Sequence, residues 1–71
     1  MSVTVTFEND EALVLFDAVA SKRLVPTDIP ERNALWALEA LLERELVEPF
    51  RSDYDKLLES ARASIVERMG D

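Results

Sequence analysis

The chain reads as a mainly α domain with one short N-terminal β-strand followed by three helices, in the order β-α-α-α. Three observations predict this. Val3, Val5 and Phe7 alternate with Ser2, Thr4 and Thr6, the period of two that a strand requires. Three later stretches place apolar residues at helical spacing. Prolines at 26, 30 and 49 and the single glycine at 70 fall where those stretches break.

The strand spans about six residues with β-branched side chains on both faces. A lone strand needs a partner. The same segment of a second copy would make a dimeric ribbon. Leu24-Val25, stopped by Pro26, would instead make a short two-stranded ribbon within the chain. The first helix runs roughly from Asp10 to Ser21, capped by Asn9 or Asp10, with acids at its positive end. Leu15, Val19, Ala12, Phe16, Ala20 and Leu13 form a broad apolar face, and Val14 and Ala18 add apolar surface behind it. A helix with so narrow a polar side belongs in the middle of an assembly.

Lys22 and Arg23 follow it, where cations offset the helix dipole. Asp28 is the expected N-cap of the second helix, with Pro30 in its first turn. That helix extends to about Val47, because Pro49 disfavours helical geometry at Glu48. Its main stripe is Ala34, Leu35, Leu38, Leu41, Leu42 and Leu46, while Trp36, Ala40 and Val47 form a second apolar face. Phe50 is expected as a tucked anchor in a short hinge. Ser52, with Asp55 three residues on, then opens a third helix whose stripe is Tyr54, Leu57, Leu58, Ala61, Ile65 and Met69. Gly70 stands at its expected C-terminal cap.

Seventy-one residues make a single small helical domain, near the size where one core only just supports folding. The net charge is −7, and the first 21 residues hold four acids with no Lys or Arg. That surface repels phosphates and anionic lipids, and it either favours a basic partner or simply keeps a small protein soluble. No basic leader or long apolar run is present and there is no cysteine, so the chain reads as a cytoplasmic protein without a membrane span.

Catalysis is not expected. The chain has no His and no Cys, and its only Gly lies beside the C-terminus, so neither a poised base nor a phosphate-cradling loop has its residues. No cofactor is expected. Glu39 and Glu43 share a helical face as metal carboxylates can, but without histidine they read as a solvated acidic face and not a metal site. Arg44 with Glu48 and Glu59 with Arg62 read as surface pairs. Trp36 suits either a gap between helices or an interface anchor, and Arg32 one turn earlier can stack on it.

Strand, helix, helix over residues 2–47 resembles the layout of the ribbon-helix-helix family of small repressors and antitoxins. The resemblance implies paired N-terminal strands, with Thr4, Thr6 and Ser2 outward and Val3, Val5 and Phe7 inward. The chain departs from it in having no basic residue on the ribbon and acids, Asp28 and Glu31, at the start of the second helix. Asp10–Phe16, Leu35-Trp36-Ala37-Leu38-Glu39 and Leu46-Val47-Glu48-Pro49-Phe50 leading into Tyr54 are similar to short acidic bacterial proteins of uncharacterised function. That similarity implies a bacterial cytosolic origin and no activity.

The expectation is a non-catalytic protein–protein interaction module, homodimeric, with Val3, Val5, Phe7, Phe16, Trp36, Ala40 and Val47 at its interface. The alternatives are a ribbon-helix-helix-like transcriptional regulator or antitoxin, and an acidic nucleic-acid mimic that occupies a basic protein. Nucleic acid itself is a disfavoured partner.

Overall fold

The computed structural model describes residues 1–70, with Glu48 described by its backbone alone. Helix α1 spans Asn9–Ala20. Its N-cap is Glu8, one residue ahead of the expected positions, and the Glu11 carboxylate accepts the Glu8 N–H at 3.0 Å. This satisfies a backbone donor at the exposed helix start while Asp10 and Glu11 meet the positive end of the dipole.

The C-terminal end of α1 closes in a left-handed turn. Lys22 has φ of +63°, its N–H reaches the Val19 carbonyl at 3.1 Å, and the Arg23 N–H reaches the Ala18 carbonyl at 3.0 Å. These are the paired bonds of a Schellman cap, whose turning residue is usually glycine. A lysine there bears the Cβ strain that glycine avoids. Lys22→Gly is therefore expected to stabilise the fold by about 0.5–1 kcal/mol, less what the unfolded glycine gains in entropy. A urea unfolding midpoint that falls in this variant would contradict the argument.

Helix α2 spans Ile29–Glu45. Asp28 caps it as expected, accepting the Glu31 N–H at 2.9 Å. Glu31 in turn accepts the Thr27 N–H and hydroxyl, each at 2.8 Å, and these donors hold its carboxyl below the ordinary value. The helix stops two residues before Val47. Leu46 leaves it in extended geometry and drops into the core, an apolar burial that competes with further helical turns.

One 3₁₀ turn, Glu48–Phe50, leads to α3, Tyr54–Met69. Phe50 is exposed there rather than tucked down. Helix α3 starts two residues after Ser52. The Asp53 carbonyl accepts the Lys56 and Leu57 N–H groups, while the Asp53 side chain is engaged by Arg51 at 3.1 Å. Gly70 ends the helix at φ +79°, ψ −175°, a conformation close to glycine-only.

Among the described residues there is no strand, so the expected β-α-α-α order is corrected to three helices within the mainly α class. Residues 2–7 form no backbone hydrogen bond, and Leu24-Val25 does not pair with them. Two residues ahead of a proline offer too few ladder bonds to offset the entropy of ordering a six-residue strand.

Helix α1 is the central element, packed against both α2 and α3. The core joins Ala12, Leu13 and Phe16 of α1 to Leu42 and Leu46 and to Ala61 of α3, with Leu38, Leu57 and Leu58 at its edge. Ala34 and Leu41, expected in the α2 stripe, face outward.

Candidate functional site

Two polar clusters clamp α1 to α3. Asp10 accepts Ser64 Oγ at 2.7 Å and both terminal nitrogens of Arg68 at 2.6 and 3.0 Å. Arg68 chiefly, then Ser64, hold the Asp10 carboxyl well below the usual carboxylate range. A depressed carboxyl contributes stability above its ordinary pKa and loses that contribution as pH falls, so this clamp opens in acid. Two helical turns further on, Asp17 accepts Tyr54 Oη at 3.2 Å and Arg62 at 3.3 Å, and also pairs with Arg23. Arg62 thus serves α1 rather than Glu59. These groups are consumed in holding the fold.

Tyr54 carries a testable pH signature. Burial first, then the Asp17 charge, push its phenol up to about 12. The folded state therefore favours the neutral form. Its contribution is whole below the ordinary value near 10 and is lost as pH rises from there through about 12. Tyr54 is the sole tyrosine. Ultraviolet titration should give a midpoint near 12 in buffer and about 10 in urea. Equal midpoints would contradict the burial.

The open surface lies at the C-terminal end of α1, where the connector leaves it. A cleft of about 270 Å³ has apolar walls made by Val19, Leu24, Val25, Pro26, Leu35 and Trp36. Trp36 is 54% exposed, and the Arg32 guanidinium stacks on its ring at 4.7 Å. Lys22 and Arg32 stand on the rim with Glu39, and a shallow extension continues over Ala40 and Glu43. Among the described residues, Lys22, Arg32 and Lys56 are the Lys and Arg side chains in no ion pair. Two of these three border the cleft.

The seven residues expected at an interface divide accordingly. Trp36 lines the cleft and Ala40 its extension, while Val47 is exposed elsewhere on the surface. Val3, Val5 and Phe7 are 82, 66 and 42% exposed on the N-terminal segment. Phe16 lies in the core. Sequence reasoning placed Arg32 on Trp36 but missed that Lys22, Leu24, Val25 and Pro26 complete a cleft around it. The signal was the Pro-containing connector, which must pass over the end of α1.

Among the described residues no cluster of acids suits a metal ion, and no helix is long and apolar enough to cross a membrane. Comparison of the chain with models of protein families, with curated proteins and with solved structures finds no match.

Proposed function

We propose that the chain is a non-catalytic protein–protein interaction module that works as a homodimer in the cytoplasm. The observation that carries this reading is the half-exposed Trp36 set in an apolar cleft, in a chain that also exposes Val3, Val5 and Phe7. Tryptophan is enriched among the anchors of protein interfaces, where a ring is covered by a partner and ringed by weaker contacts. An apolar patch of this kind on a domain with so small a core is costly to leave in water. Asp10 and Asp17 are spent on the α1–α3 clamp.

Sedimentation equilibrium from about 5 to 200 μM, a range that spans typical transient dimers, tests the reading. The expected mass rises with concentration to twice 8.1 kDa. A mass fixed at 8.1 kDa throughout overturns the homodimer.

A further inference from the structure

We propose that the Trp36 cleft is filled by the N-terminal segment of a second copy of this chain, exchanged reciprocally, with Phe7 as the anchor. The proposal rests on the self-association reading above and names the surfaces that carry it.

Size is the first argument. Pockets that enclose a whole small molecule usually hold about 300–1,000 Å³. At about 270 Å³ and open on one side, this cleft suits one or two side chains of a docked segment. Its walls are aliphatic and aromatic, and Phe7, Val5 and Val3 are the apolar side chains of a segment that has no helix or strand. Their alternation presents all three on one side when the segment lies extended against a surface.

Charge is the second. Two copies of a chain of net charge −7 repel each other, so a stable contact needs local attraction. Lys22 and Arg32 supply it, because both lack a carboxylate partner among the described residues. Residues 2–8 bring Glu8 to the contact and no Lys or Arg. Glu39 shares the rim, which leaves it one net positive charge against the single acid of the segment.

Placement is the third. The segment leaves the N-terminal end of α1, whereas the cleft adjoins Val19 and Lys22 at the C-terminal end. Twelve helical residues separate these ends by about 18 Å. With the two α1 helices antiparallel about a twofold axis, each segment and the other copy's cleft lie at the same end of the pair. Both contacts then form at once and the assembly closes as a dimer. The contact is side chain into cleft and needs no strand pairing.

Trp36 is the only tryptophan, so its emission reports the cleft. The experiment follows mass by sedimentation equilibrium and Trp36 emission over the same concentrations, in wild type, Phe7→Asp and Arg32→Glu. Phe7 lies outside the helices, and circular dichroism checks that the fold is retained. The wild-type emission is expected to shift to the blue in step with dimer formation. Phe7→Asp should raise the dimer Kd at least about tenfold and remove the shift. Arg32→Glu should weaken association, and adding Glu8→Lys to it should recover part of the loss. A wild-type dimer whose Kd and emission are indifferent to Phe7→Asp overturns the exchange while leaving self-association standing. A wild type that stays at 8.1 kDa overturns both and leaves the cleft to a partner of different sequence.

Discussion

Leu13→Ala is expected to cost about 2–5 kcal/mol, a large fraction of the stability of so small a domain. Leu13 is the most deeply buried large side chain, at 2% exposure, and it sits on the helix that both other helices pack against. Truncation removes its apolar burial and leaves a cavity that α2 and α3 cannot close independently. The total stability of a domain this small is of order 4–10 kcal/mol, so such a loss consumes a large part of it. Urea unfolding followed by circular dichroism measures the effect. Leu13→Met, which keeps the volume, should cost less than about 1.5 kcal/mol. A loss below about 1 kcal/mol in Leu13→Ala would mean that α1 is not the keystone of the packing.

Asp17→Ala carries the second-largest expected effect, about 1–3 kcal/mol. Its side chain is only 17% exposed and its carboxylate serves Tyr54, Arg62 and Arg23 together. The two arginines are about half exposed, so solvent and salt screen their share. The bond from half-buried Tyr54 is the better protected part. A double-mutant cycle with Tyr54→Phe should give a coupling of about 0.5–1.5 kcal/mol that persists at 1 M salt, where the arginine contribution has faded. Strict additivity of the two substitutions would refute a shared contact. Asp17→Asn should fall between the parent and Asp17→Ala, because the amide oxygen still accepts the phenol.

Local chemistry made much of the helical framework legible. Asp28 followed by Pro30 and Glu31 specifies a helix start within a few residues, and Asp28 does cap α2. Gly70 stops α3 for the same kind of local reason. The all-round apolar character of residues 12–20 required that α1 be covered on two sides, and it is. The alternating segment at residues 2–7 misled for an equally physical reason. A period of two states which side chains would share a face of a strand, but a strand exists only when another backbone supplies its bonds. The three-helix fold described here supplies none to that segment.

The candidate site was harder to read because its parts are distant in sequence. Arg32 and Trp36 are one helical turn apart, so their stacking follows from α2 alone. Lys22, Leu24, Val25 and Pro26 line the same cleft after the left-handed turn at Lys22 that closes α1. Asp17 holds residues 37 and 45 positions away, contacts that no local pattern announces.

Residue order alone settled where helices begin and end to within a few positions, and which of them had to be central, because capping and periodicity act over four residues or fewer. Tertiary packing alone decided that Trp36 stays open to water while Phe16 is enclosed, and which cations are left unpaired. Those outcomes depend on which side of each rod meets its neighbour, a choice made by summed contacts between distant segments.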